Sequence, residues 1–418
     1  MAFGVTLFAN AVSAEPNASG QYVGVGSCSS SQCHGSVSPR ESTKVLQNEY
    51  STWKKHDPHS RAWQMLLNED SKRIAHHLGI SAPEKEPLCL ECHSTHVQKG
   101  SAQSTFQVED GVGCESCHGA AEKWLAPHAA RDSSHANNVR LGMTELSSPS
   151  SQATLCLSCH FGNDDKYVNH RLIGAGHPRL SFELDTFQNI QPRHWLVDED
   201  YRNRKEDYNS LEGWFAGQIA QAHESLTRLQ SAKRAKQGVF PEFALFDCAS
   251  CHHSLTEDQW KKREYDGQPG VPKLNLSSLA MVREAFAVID PRVAQQIGTK
   301  LDLLHASFMV GGNGQTGSIN ALKGLLNKYA DGMGSASPRA LLAHFVNYAG
   351  DDPHLPYEVG EQIAMALSVF ASAIQPDGSL HKKELDGVYE TLKNPRHFIP
   401  EDFAAAARAF EAQVSRKR

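Results

Sequence analysis

Five segments of the chain place two cysteines just before a histidine. Four have the form Cys-x-x-Cys-His: Cys89, Cys92 and His93; Cys114, Cys117 and His118; Cys156, Cys159 and His160; Cys248, Cys251 and His252. The remaining one, Cys28, Cys33 and His34, carries two extra residues between its thiols. Two thiols on one backbone turn can each add to a vinyl group on the same porphyrin edge. The histidine that follows then lies under the ring, with its imidazole aimed at the iron. At this chain's cysteine and histidine frequencies, chance supplies roughly 0.01 Cys-x-x-Cys-His strings, so four of them are a signal. The pairs use all 10 cysteines. Disulfides would need no histidine after each pair. Structural zinc takes two such pairs per ion, and five pairs do not divide. A thioredoxin-like redox pair occurs once, within an α/β pattern. The expected cofactors are therefore five covalent c-type haems, with His34, His93, His118, His160 and His252 as proximal iron ligands.

A second axial histidine gives a low-spin iron suited to electron transfer, and methionine would raise the potential. The methionines are scattered in apolar, helical settings and read as core. Among the histidines, His59 lies in WKKHDPHSRAW, with His56 as its rival, at the start of an amphipathic stretch through Ala62, Trp63, Leu66 and Leu67. His128 follows CESCHGAAEKWLAPH. His170 and His177 bracket NHRLIGAGHP, whose glycines would let the backbone approach a flat ring. His194 adjoins an aromatic in QPRHW, and His223 lies on a long helix. Arg61, Arg171, Arg179 and Arg193 near these histidines suit haem propionates better than a free anion. The histidines of the C-terminal part read as ordinary ones.

The elements around these residues are helical, and strand signals are sparse. The longest interval between motifs carries a helix over about 209–237, capped by Ser210, with Trp214, Ile219, Ala222, Leu226 and Leu229 as an apolar stripe and Lys233, Arg234 and Lys236 before Gly238. After 273 there are no cysteines. Helices are expected over 277–289, 293–309, from Ser337-Pro338 to about 350, and over 358–374, 382–393 and 401–414. The predicted class is mainly α with extensive loops. The predicted organisation is an export signal over 1–14, a linker over 15–27, a pentahaem domain over 28–272, and an α-helical module over 273–418 with no chemistry of its own.

The formal charge of −6 over 418 residues gives no basic footprint for nucleic acid. No run of 18 apolar residues occurs that could span a membrane. Phe3 to Val12 is a short apolar stretch before Val12-Ser13-Ala14, a small-residue cleavage pattern without the usual preceding basic residue. Export, to a periplasm or equivalent, is the expectation.

These motifs resemble multihaem c-type cytochromes of the cytochrome c-554 type. The resemblance rests on the segment from Trp53 to Ala62, on G-V-x-C-E-x-C-H-G ending in W-x-x-x-H over Gly111 to His128, and on G-x-G-H-P over Gly174 to Phe187. It spans roughly residues 20–260. It implies His59, His128 and His177 as distal ligands, with His170 and His194 as further ones, and it leaves room for one five-coordinate haem. It also implies periplasmic electron transfer. The namesake of the family binds four haems where this chain has five motifs, and the C-terminal helices lie outside the family pattern. The functional expectation is an electron carrier rather than an enzyme, with no catalytic residues. Its expected partners are other cytochromes, quinol-oxidising complexes or terminal reductase complexes, and peripheral association with a membrane complex is compatible with this. The alternative is a multihaem oxidoreductase with one open-site haem acting on a small nitrogen or sulfur species.

Overall fold

The computed structural model describes residues 20–40, 45–204, 209–231, 241–252, 272–308, 313–330, 332, 334–375 and 382–416. The expected export signal over 1–14 lies outside the described residues, as do the basic cluster at Lys233, Arg234 and Lys236 and its closing Gly238. The described residues are helices, 3-10 turns and loops, with two isolated bridges, Tyr22 with Ala102 and Phe246 with Leu274. No helix among them is long and apolar enough to cross a membrane.

The chain divides into two compact units. One comprises 1–67, 84–145 and 194–196 and holds the first three motifs. Its helices are short, such as Glu49–His56, Pro87–His93 and Cys114–His118. Its main apolar cluster among the described residues is Val23, Ala121 and Trp124, with Val25, Trp53 and Leu66 buried outside it, a small core for a unit of this length. Polar ties hold it. The Trp53 indole donates to the Val112 carbonyl at 3.0 Å, and the Thr95 backbone N–H donates to Gly111 at 2.8 Å. Residues 20–27 were expected to be a linker, but they are packed here: Val23 and Val25 are buried, and Tyr22 pairs with 102. The cause is Glu115, inside the third motif. Its buried carboxylate accepts the backbone N–H groups of Val23 at 2.9 Å, Gly24 at 2.8 Å and Ala121 at 2.8 Å.

The other unit comprises 68–83, 146–193 and 197–418. The boundary read near 272 is therefore not where the chain divides, because the fourth and fifth motifs cluster with the C-terminal helices. The reason is the helix Ser210–Gln230. Its apolar stripe is buried, and it packs against Pro149–His160, Ser277–Ile289, Asn313–Leu326 and Tyr357–Ile374. Its cap is Asn209, whose side chain accepts from Leu211 and Glu212, rather than Ser210. The core it joins is aromatic at its centre, with Trp214, Phe215, Phe286, Phe345, Phe370, Phe403 and Phe410 fully buried.

Trp214 meets Phe345 and Phe370 edge-on at 5.7 and 5.0 Å, and its indole N–H is buried without a partner. Trp214→Ala should cost about 3–5 kcal/mol. Trp214→Phe should cost clearly less, since it keeps the ring and removes an unsatisfied donor. Denaturation midpoints of the two variants check this, and equal losses would contradict it.

Candidate haem sites

Each attachment motif is a turn that ends at its histidine. In the second and third motifs the whole pentad is the end or the body of a short helix. In the fourth it is the last turn of Pro149–His160. The fifth is a 3-10 turn in which the His252 backbone N–H returns to the Cys248 carbonyl at 2.8 Å. The first motif reaches the same closure despite its longer spacer. His34 donates its backbone N–H to the Cys28 carbonyl at 3.2 Å, while Cys33 and Gly35 both return to Ser30. The two extra residues are thus looped out, and the cysteine-to-histidine register is kept.

Gly35 allows that turn, because a Cβ there would stand 1.8 Å from the Ser29 carbonyl oxygen. Gly35→Ala should lower stability by about 1–3 kcal/mol through forced backbone displacement. Gly26→Ala, with nothing within 4 Å of its added methyl, should leave the melting curve of the holoprotein where it was.

All ten thiols are free of disulfides. Burial, with Glu86 nearby, pushes the Cys89 thiol up to about 11. Burial, with Cys159 nearby, likewise takes Cys156 to about 11. Burial, then Glu358, takes Cys248 to about 12. These three thiols are neutral at ordinary pH. The thiols of Cys28 and Cys114 hydrogen-bond each other, which lowers the first and raises the second. The attachment edges of the first and third motifs therefore lie side by side.

Among the described residues, three motif histidines lie beside an expected distal histidine; His76 and His77, adjacent on one helix, are also 5.8 Å apart. His34 and His128 stack with ring centroids 6.2 Å apart and planes 13° apart. His118 and His194 stand 6.4 Å apart at 87°. His170 and His252 are 6.0 Å apart at 25°. A metal–imidazole nitrogen bond is about 2 Å, so two imidazoles gripping one ion from opposite sides have centroids about 6 Å apart. Each of the three motif pairs joins a histidine of an attachment motif to one of the expected distal histidines. The residues present therefore fit a c-type haem.

Neighbouring acceptors fix several rings through Nδ1, which leaves Nε2 to face a metal. His34 Nδ1 donates to Glu49 at 2.9 Å, and His59 Nδ1 to the buried Asp57 at 2.9 Å. His93 Nδ1 donates to the Ala62 carbonyl at 3.0 Å, His128 Nδ1 to Leu125, and His177 Nδ1 to Pro178 at 2.8 Å. The segment from His59 to Ala62 thus serves two motifs. Its Ala62 carbonyl orients His93, and its His59 carbonyl accepts the Val112 N–H just before Cys114. Gly111, at φ 74°, permits that approach, since a Cβ would lie 2.7 Å from the His59 oxygen.

His160 is held by aromatic rings, with Phe182 stacked at 5.2 Å and Phe187 edge-on at 5.2 Å. His177 follows Gly176, which ends the helix His170–Ala175 at φ 113°. That glycine serves as a helix terminator, and Gly174 has no protein atom within 4 Å of a built Cβ. His56 ends its helix exposed, and His223 is half-buried on the long helix. Arg179 pairs with Glu361, Arg171 donates to the Leu78 carbonyl, and Arg193 to Asn189. Sequence reasoning did not single out Glu49, Asp57, Phe182 or Glu115 as supports. Only Glu115 had a signal, as the acidic residue inside a Cys-x-x-Cys-His string.

The described residues form a mainly helical protein in which attachment motifs and nearby histidines fit covalent haem. Residues 27–119, which span the first three motifs, match the family described as cytochrome c554 and c-prime. Over that segment the chain is similar to the cytochrome c554 family, which supports a c-type cytochrome of electron transfer with covalently bound haem. No curated protein and no solved structure matches the chain.

Proposed function

We propose that the protein is an exported, periplasmic electron carrier with five c-type haems, mostly bis-histidine ligated. In this reading His34 with His128, His118 with His194, and His170 with His252 are axial pairs. His59 and His177 are the distal candidates for the motifs of His93 and His160. The observation that carries the reading is the set of three imidazole pairs at 6.0–6.4 Å. Haem supplies a one-electron iron couple when bound. The chain's own residues hold the imidazoles of His34, His59, His93, His128 and His177 in one tautomer through Nδ1. They also bring the first and third motifs together, with the Cys28 and Cys114 thiols side by side. The matching partners are redox proteins: other cytochromes, quinol-oxidising complexes or terminal reductases.

Mass spectrometry and spin-state spectroscopy of the purified holoprotein test this. Five haem additions, low-spin ferric signals and no change of the reduced spectrum on adding carbon monoxide are expected. Four additions would remove one motif. A high-spin fraction near one haem in five that binds carbon monoxide would favour an oxidoreductase.

A further inference from the structure

The turn after the fourth motif brings a cation back to one of its sulfurs. The helix Pro149–His160 ends at Phe161 and Gly162, whose backbone N–H groups both return to the Leu157 carbonyl, at 3.1 and 2.7 Å. Gly162, at φ 88°, reverses the chain there, and a Cβ would stand 2.4 Å from the Lys166 carbonyl oxygen. Asn163 closes the turn. Its backbone N–H donates to the Lys166 carbonyl at 2.7 Å, and its side-chain oxygen accepts from the backbone N–H groups of Asp165 and Lys166 at 3.0 and 3.1 Å. The Lys166 ammonium then donates to the Cys159 sulfur at 3.3 Å. Ser158 adds a longer contact to the same sulfur, at 3.7 Å.

The helix Ser210–Gln230 clamps this turn. Its Arg228, 7% exposed, donates to the Phe161 and Gly162 carbonyls at 2.7 and 2.6 Å. The guanidinium also lies 3.8 Å over the Phe161 ring and 5.4 Å from that of Tyr167. Glu224 stands 3.6 Å from Arg228, and Asp164 and the exposed Asp165 lie on the turn itself. These carboxyl groups offset part of the local positive charge, but the ion on the sulfur is the ammonium.

Thioether formation replaces the Cys159 S–H by an S–C bond and leaves sulfur lone pairs, so the sulfur remains a weak acceptor. Lys166 is thereby held at the attachment edge of the porphyrin. A fixed positive charge there favours ferrous iron, which carries one positive charge fewer than ferric. The side chain is half-buried, so solvent screens part of the effect.

We propose that Lys166 is a redox-tuning residue: its ammonium, held on the Cys159 sulfur by the Asn163 turn and Arg228, raises the reduction potential of the haem attached at Cys156 and Cys159. This rests on the five-haem reading.

The test is a spectroelectrochemical titration of the full-length holoprotein, with haem counted by mass spectrometry on the same samples. Lys166→Gln should move one titrating component downward by about threefold in its reduction equilibrium, which is about 28 mV for one electron, and leave the others in place. Lys166→Glu should move the same component about twice as far. Lys166→Arg, which keeps the charge, should stay close to the wild type. Lys393→Gln, at an exposed lysine paired with Glu390, should move nothing. Equal shifts in Lys166→Arg and Lys166→Gln would assign the effect to packing and overturn the tuning role. Five haems with every component unmoved would also overturn it, and in both cases the five-haem reading would stand. Free thiols at Cys156 and Cys159 in the wild-type protein would overturn both.

Discussion

Glu115→Ala will unlock the N-terminal unit, at a cost of about 3–5 kcal/mol. The carboxylate is buried and accepts three backbone donors, from Val23, Gly24 and Ala121. An alanine leaves all three without an acceptor, and each buried unsatisfied donor costs about 1–3 kcal/mol. The loss falls where little else can absorb it, because the apolar clusters described in that unit are small. Glu115→Gln should be intermediate: it keeps one acceptor oxygen but turns an amide N–H₂ toward donors. Hydrogen exchange reads the result directly. In Glu115→Ala the amides of Val23, Gly24 and Ala121 should exchange early, while those of the Ser210–Gln230 helix stay protected. Retained protection at Val23 and Gly24 would show that the carboxylate is not what holds them.

His170→Met will raise the potential of one haem on the order of 100 mV, since axial ligands move haem potentials over about 0.8 V in all. Three contacts place His170. Asn169 caps its helix by accepting from Leu172, Glu242 accepts the His170 backbone N–H at 2.7 Å, and Phe243 lies edge-on to its ring at 5.4 Å. The imidazole is thereby set 6.0 Å from that of His252. A thioether in its place favours the ferrous state. His56→Met, at an exposed helix end, should leave every component of the titration unmoved. An unchanged titration in His170→Met would remove it as a ligand.

Much of this was legible locally. Two thiols and an imidazole on one turn are a short-range pattern, and so are helix ends. Ser337 caps the helix Pro338–Asp351 with proline at its first position, and Ser277–Ile289 ends where it was expected to. Pro291 was read as following a helix stop; it also opens the next helix, Pro291–Phe308, since its missing N–H costs nothing there. The glycine-rich start of Asn313–Leu326 hid a helix that packing supplies. The partners that matter most were out of reach. Glu115 joins 115 to 23, and Gln362 joins 362 to 182 and 218. No periodicity records such contacts; only the closed chain brings them together. Pairing of the distal histidines stayed open for the same reason, although the shortlist held His128, His170 and His194.

The three imidazole pairs also bear on the unfolded chain. Each joins positions far apart in sequence, 34 with 128, 118 with 194, and 170 with 252. An iron held at both ends is a cross-link. Closing a loop of roughly 75–95 residues would remove about 4–5 kcal/mol of chain entropy in the denatured state by the estimate used for disulfides. The three loops overlap in sequence like links of a chain, from 34 to 252. A protein that spends every cysteine on its cofactor would thus recover through iron the stapling that cysteines usually give, and strong imidazole competitors should act on it as reducing agents act on a disulfide-bonded protein.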